Sequence, residues 1–196
     1  MNKDPKIKSD FEDHIKKLRD IEIPLAGGEQ KTVYIDPDND RRVIVIFRPD
    51  SIRGIPSPDL IEYLFYIGKI AHLLFPKNIP ALHKFTKYPA TITRERVFKK
   101  ENHDGFDNSI DVKNLEAELV KAGFKTDSTF SDFARDEQGN LKYVDNIYVP
   151  DGQWHILEQV VRERLQGKEQ ENALRYVSRA KQAEDKLNSE QLMQRY

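Results

Sequence analysis

The spacing of apolar positions changes several times along the chain, and each change predicts a different element. Residues 1–19 are mostly charged, with Phe11, Ile15 and Leu18 at helical spacing, which predicts a short amphipathic helix as an N-terminal extension. From residue 20 the period shortens. Ile21 to Pro24 and Lys31-Thr32-Val33-Tyr34-Ile35 read as strands around the small-residue turn Ala26-Gly27-Gly28. Asp36-Pro37-Asp38-Asn39-Asp40 is a turn signal, and Arg42-Val43-Ile44-Val45-Ile46-Phe47-Arg48 is a β-branched third strand. Three consecutive short strands predict an antiparallel meander. Ser57-Pro58-Asp59 then opens a helix, with Ser as N-cap, Pro at the first helical position and an acid in the first turn. Leu60, Ile61, Leu64, Phe65, Ile67, Ala71, Leu74 and Phe75 spread around much of its circumference before Pro76 stops it. Such a helix is expected to be buried on more than one side.

Further on, Pro89 to Phe98 predicts one or two more strands, and the polar stretch Lys99 to Asn108 reads as a linker. Ile110 to Ala122 is a short helix carrying Leu115, Leu119 and Val120 and stopped by Gly123. Thr126 to Asp136 has no clear period and reads as loop. The turn Asp136-Glu137-Gln138-Gly139-Asn140 leads into a strand from Leu141 to Val149. From Trp154 the chain reads as helix with a break near Gly167, and its last part carries a narrow stripe of Leu174, Val177, Ala180, Ala183 and Leu187. The expected fold class is α+β: a five-stranded antiparallel sheet with a buried helix, followed by a reduced, mainly helical second part. The expected organisation is an extension at 1–19, a sheet-bearing lobe at 20–100, a second lobe at 101–166 with an Asp-containing hairpin, and a C-terminal helix at 167–196.

Composition narrows the chemistry. Among 196 residues, 32 Lys and Arg nearly cancel 33 Asp and Glu, so the formal net charge is −1 and there is no global positive field for nucleic acid. The cations and aromatics around Lys84-Phe85-Thr86-Lys87-Tyr88 and Arg94 to Lys100 are the one local exception, and a solvated strand face accounts for them more simply. The absence of Cys removes disulfide scaffolds, thiolate zinc sites and cysteine nucleophiles. The most apolar stretch, Leu60 to Phe75, is broken by Glu62, Gly68, Lys69 and His72 and falls short of ~18 apolar residues, so no membrane span is expected. The N-terminus has no apolar segment of the secretory kind, and the expected location is cytoplasmic. The five His show no metal-binding spacing, and His72 is expected to be a hydrogen-bonded packing residue.

The carboxylates carry more. Asp127 is followed after five residues by Asp132 and after thirteen more by Asp145, which stands beyond the Gly139-containing turn. This layout resembles the catalytic loop and metal-binding strand of the protein-kinase-like superfamily, which includes the aminoglycoside phosphotransferases. In that family an Asp precedes an Asn by five residues, two short strands follow, and a second Asp holds magnesium. The N-terminal half is similar too. Gly27-Gly28-Glu29-Gln30-Lys31-Thr32-Val33-Tyr34 resembles a nucleotide-binding loop running into its strand, and Val45-Ile46-Phe47-Arg48 takes the place of the Val-Ala-Ile-Lys strand, with Arg48 in the lysine slot. Glu62 on the buried helix is then the candidate partner for that cation. The resemblance spans roughly 20–150. It implies a truncated kinase-like fold with ATP and magnesium as ligands. Asp127 would orient the acceptor, Asp132 and Asp145 would hold the metal, and Lys31 or Arg48 would steady the phosphates.

Departures from the family pattern are equally specific. Lys125-Thr126 precedes Asp127 where the family has His or Tyr-Arg, Asp132 replaces Asn, and Asn146-Ile147 follows Asp145 in place of Phe-Gly. Asp132 remains a hard oxygen donor but adds like charge beside Asp145. Arg48 is a planar, bulkier substitute for lysine, and Lys31 could supply the ammonium from the loop. These departures lead to two expectations of different class. One is a nucleotide- and magnesium-binding degenerate kinase or small phosphotransferase. The other is a non-catalytic module that binds a protein partner through its sheet and C-terminal helix.

Overall fold

The computed structural model describes residues 25–27, 31–47, 58–87, 90–97, 110–126 and 132–193. The predicted helix over 1–19, the strand at Ile21–Pro24 and the linker Lys99–Asn108 lie outside the described residues. Strands β2 (Lys31–Asp36) and β3 (Asn39–Phe47) form the predicted hairpin, with Tyr34 opposite Ile44 and Val33 opposite Val45. Its turn is held by side-chain capping: Asp36 Oδ1 accepts the Asp38 N–H at 3.1 Å and Asn39 Oδ1 accepts the Arg41 N–H at 3.0 Å. Because side chains alternate across a strand, Val33, Val43, Val45 and Phe47 share one face while Tyr34 and Ile44 share the other with Ile46. Both sets are buried, apart from the half-buried Ile46, which is why the β3 run reads as continuously apolar.

Strand β5 (Thr91–Glu95) adds to β3, and β4 (Leu82–Thr86) adds to β5 at the edge. The sheet order is β1-β2-β3-β5-β4, antiparallel throughout. The expected five-stranded antiparallel sheet is corrected here to one carried by four strands. Four strands of five to nine residues carry it, and β1 (Ala26–Gly27) is a two-residue edge paired only with β2.

Helix α1 (Pro58–Leu74) ends just before Pro76, as its punctuation predicts, while the Ser57 N-cap lies outside the described residues. Ile61, Ile67, Ile70 and Ala71 are fully buried, and Tyr63, Leu64 and Phe65 nearly so, in keeping with an apolar circumference. His72 acts as the expected packing residue, with its Nδ1 2.7 Å from the Ile79 carbonyl oxygen.

The chain divides into two units. The first draws on 1–62, 82–96 and 186–196 and holds β1 to β5 with the start of α1. The second draws on 63–81 and 97–185. In the second unit, α2 (Ile110–Lys121) buries Val112, Leu115 and Leu119, while Val120 is turned outward. The helix ends in a Schellman arrangement: Phe124 N–H donates to the Leu119 carbonyl and Gly123 N–H to that of Val120, both at 3.0 Å. Gly123 has φ +86° there, and a Cβ would sit 3.1 Å from the Leu157 backbone nitrogen, so any side chain at this position is strained.

Two short pairs follow. Strand β6 (Lys125–Thr126) pairs with β9 (Ile147–Tyr148), and β7 (Phe133–Arg135) pairs with β8 (Leu141–Tyr143). The stretch Thr126–Asp136, read as loop, therefore contains a strand. The strand expected over Leu141–Val149 is two pieces, because Asp145 turns the chain by accepting the next N–H, from Asn146, on its own Oδ1 at 2.7 Å.

Helices α3 (Trp154–Arg164) and α4 (Gly167–Met193) complete the unit, up to Asp185 of α4. The buried positions of α4 are Ala173, Val177, Ala180 and Ala183, so the stripe is displaced by one residue from Leu174 at its start. The chain itself covers this stripe. Trp154 Nε1 donates to Glu184 at 2.8 Å, Lys181 pairs with Glu158 at 2.5 Å, and Tyr176 stacks on Tyr66 of α1 at 5.7 Å. No described helix is long and apolar enough to cross a membrane.

The alanines allow this close approach. Ala180→Leu should overpack the contact and cost about 1–3 kcal/mol, lowering Tm by roughly 2–12 °C in a chain of this size. Ser178→Leu, on the exposed side of the same helix, should leave the melt nearly unchanged. Thermal melting followed by circular dichroism compares the two.

Candidate functional site

The β7–β8 hairpin positions the carboxylates. In its register Phe133 faces Tyr143, Ala134 faces Lys142 and Arg135 faces Leu141. The closed end is organised by one side chain. Asp136 Oδ1 accepts the N–H groups of Gln138 at 3.0 Å and Asn140 at 2.8 Å, and Oδ2 accepts Asn140 Nδ2 at 3.0 Å. Gly139 supplies the positive φ of +83° that such a turn requires. Lys142 is buried beside it at 5% exposure, with its Nζ 3.9 Å from Asp136 Oδ2. Partial burial alone would raise the Asp136 pKa. The side-chain and backbone donors of Asn140, the Lys142 charge and the Gln138 N–H outweigh it and hold the carboxyl below its usual range.

The open end carries Asp132 opposite Val144, the residue before Asp145. Val144 N–H donates to the Asp132 carbonyl at 2.7 Å, one step beyond the last strand pair, so the backbones of Asp132 and Val144 meet across the neck of the hairpin. Within the turn, the Tyr143 hydroxyl donates to the Asn146 carbonyl at 3.1 Å. The Tyr143 ring packs edge-on against Phe133 at 5.2 Å. Thr126, which precedes Asp127 in sequence, pairs with Ile147, two residues beyond Asp145. Asp127 itself lies outside the described residues, as do Gly28 and Arg48.

The other predicted residues belong to the first unit. Gly27 lies in β1 opposite Thr32, and Lys31 opens β2 opposite Phe47, half-buried. Glu62 finds its cation in Lys87, which follows β4. The Lys87 Nζ lies 2.6 Å from Glu62 Oε2 and 3.2 Å from Asp59 Oδ1. Partial burial works to lower the Lys87 pKa, but the two carboxylates more than offset it and leave the ammonium above its ordinary value.

Among the described residues, no group of three or more His, Asp or Glu side chains is arranged to hold a metal ion. A pair is nonetheless a recognised donor set for magnesium, which commonly takes one or two carboxylates and completes its shell with phosphate oxygens and water. In donor chemistry Asp132 and Asp145 fit that pattern.

Three residues near this site escape a sequence reading. The buried Tyr63 hydroxyl accepts the Val149 N–H at 2.9 Å and lies 3.4 Å from the Val149 carbonyl, to which it donates. Burial pushes its pKa well above that of a free phenol. Asn78 accepts the Tyr143 N–H on its carbonyl and donates Nδ2 to the Leu141 carbonyl, both at 2.9 Å. Lys142 is the third, a buried lysine where alternation alone suggests a solvated one. Tyr on an apolar helix and Asn after Pro look like core and turn residues, so nothing local marks them out.

Comparison of the chain with the models of known protein families and with curated proteins finds no match.

The depressed Asp136 pKa has a definite sign in stability. Its contribution is complete above the unfolded value near ~3.9 and is lost as pH falls through the lower folded value. Asp136→Asn should be less stable than the parent at pH 7, by about 1 kcal/mol, and should lose less on acidification. Urea midpoints measured between pH 7 and pH 3 would reveal this as converging curves. Parallel curves would mean that the Asp136 charge contributes nothing.

Proposed function

We propose that this chain is a nucleotide- and magnesium-binding protein of the kinase-like type, a degenerate kinase or a small phosphotransferase. The observation that carries the reading is the hairpin neck. The Val144-to-Asp132 hydrogen bond ties the backbone of Asp132 to the residue just before Asp145, which supports a pairing of these two aspartates. The β6–β9 pair then brings the end of the strand before Asp127 alongside the residues after Asp145. Two aspartates beside a short hairpin, with Asp127 preceding them in sequence, agree with the layout by which the sequence resembles that superfamily.

In this reading Asp132 and Asp145 supply hard oxygens to magnesium, which when bound neutralises phosphate charge and polarises the phosphoryl group. Asp127 orients the acceptor hydroxyl. Gly27 and Gly28 allow close backbone approach to phosphate, and Lys31 or Arg48 steadies its charge. Glu62 has a partner in Lys87 at 2.6 Å, so any pairing with Arg48 competes with an existing ion pair. The alternative, a protein-binding module, has less to offer at α4, whose stripe is covered within the chain. Among the described residues its large exposed apolar positions are Leu25 beside β1 and Ile110 and Val120 on α2.

Melting in the presence of millimolar ATP should be higher with magnesium than without. A ligand at a hundred times its Kd stabilises the folded state by about 2.7 kcal/mol. Asp145→Asn should abolish the magnesium dependence and leave the apo protein at least as stable. Asn keeps an oxygen for the Asn146 N–H, and removing one of two neighbouring carboxylates relieves repulsion. No shift with ATP and either magnesium or manganese would sink the reading. An apo protein unfolded by Asp145→Asn would make Asp145 a structural residue.

A further inference from the structure

We infer that helix α1 and the loop after it set the position of the Asp145 turn, with Tyr63 and Asn78 as its positioning residues. The cation part of this inference rests on the nucleotide–magnesium reading above. The anchoring part rests on hydrogen bonds alone. Between Tyr143 and Val149 the chain leaves β8, turns at Asp145 and enters β9. Asn78 holds the strand before the turn at two points, the Tyr143 N–H and the Leu141 carbonyl. Tyr63 holds the residue after it, engaging both the N–H and the carbonyl of Val149. Both anchors come from one stretch, 63–78, within the same unit as the turn.

The turn needs such support. Strand β9 has two residues, and its ladder to β6 matches only Lys125 with Tyr148 and Thr126 with Ile147. So short a pair leaves register and depth weakly specified. The Tyr63 ring is itself fixed, edge-on to Trp154 at 6.4 Å and 5% exposed, so its hydroxyl is a rigid reference point. Phe would fill the same space, and the hydroxyl adds only the bonds to Val149. Val149 is buried as well, so its N–H cannot turn to solvent as a substitute. Groups that orient metal-binding side chains from behind commonly act in this way, through backbone bonds remote from the ion.

The test uses the full chain carrying Tyr63→Phe, with Ile70→Val as a control that disturbs the same helix at a position fully buried elsewhere. Amide hydrogen exchange is measured without ligand, and ATP affinity with and without magnesium. Tyr63→Phe should speed exchange over 144–149 by roughly fivefold, an increase that Ile70→Val does not reproduce selectively. It should also weaken magnesium-supported ATP binding by about tenfold and leave metal-free binding unchanged. Unchanged exchange over 144–149 overturns the inference whether or not the protein binds nucleotide. Faster exchange with an undiminished magnesium effect overturns the positioning role. Faster exchange in a protein whose parent shows no magnesium effect supports the anchoring and overturns the functional reading instead. Should Tyr63→Phe fail to fold, Asn78→Ala removes the Nδ2 bond to Leu141, keeps the backbone bond to Tyr143 and is read by the same two measurements.

Discussion

Helix α1 is apolar around most of its circumference, and the few polar groups it carries must find partners inside the protein, because a buried donor or acceptor left unmatched costs about 1–3 kcal/mol. Much of the surrounding structure follows from that constraint. The Tyr63 hydroxyl is matched by the backbone of Val149, and the His72 ring by the carbonyl of Ile79. Just beyond the helix, Asn78 is matched by β8. At the N-terminal end, Asp59 and Glu62 share Lys87. Each of these bonds ties a different segment to the helix, so the requirement to satisfy buried polar atoms also decides where the short strands lie.

The β7–β8 hairpin treats charge differently at its two ends. At the closed end Asp136 is surrounded by donors and faces the buried Lys142, so its charge is answered locally. At the open end the backbone of Asp132 is bonded to Val144, and the carboxylate of the next residue, Asp145, accepts the Asn146 N–H. Backbone bonding holds that end together, and the carboxylate oxygens there are the hard donors that a divalent cation takes. The structural acid Asp136 thus sits at one end of the hairpin, and the two candidate aspartates flank the other in sequence.

Helix α4 shows how a sparse apolar stripe can still be buried. Ala173, Ala180 and Ala183 each bring little area, but they let the helix approach closely, and Val177 fills the space between them. Polar and aromatic contacts at the margin, Trp154 with Glu184, Lys181 with Glu158 and Tyr66 with Tyr176, add directional restraints that a narrow stripe lacks. Lys181 also lies 5.4 Å from the Trp154 ring centroid, so one ammonium serves an ion pair and an aromatic face together.

The four described helices were legible because their signals are local: a 3.6-residue period with Pro58, Pro76, Gly123 and Gly167 as punctuation. The β2–β3 hairpin was legible for the same reason, through β-branched runs around an Asp- and Asn-rich turn. Strand β4 was not, because the register shift between Leu82 and Lys84 breaks its alternation. Strand β7 is only three residues long, and a single Asx bond divides what reads as one strand from Leu141 to Val149. Of the candidate site, the sequence by itself determined the aspartates and their spacing, since these are properties of order along the chain. Only the tertiary structure decided that Asp132 is bonded to Val144 beside Asp145, that Glu62 pairs with Lys87, that Lys142 is buried and that Tyr63 and Asn78 bond the strand ends on either side of the turn. Those facts rest on hydrogen bonds and ion pairs between residues far apart in sequence, and such partners are chosen by packing, which no local period encodes.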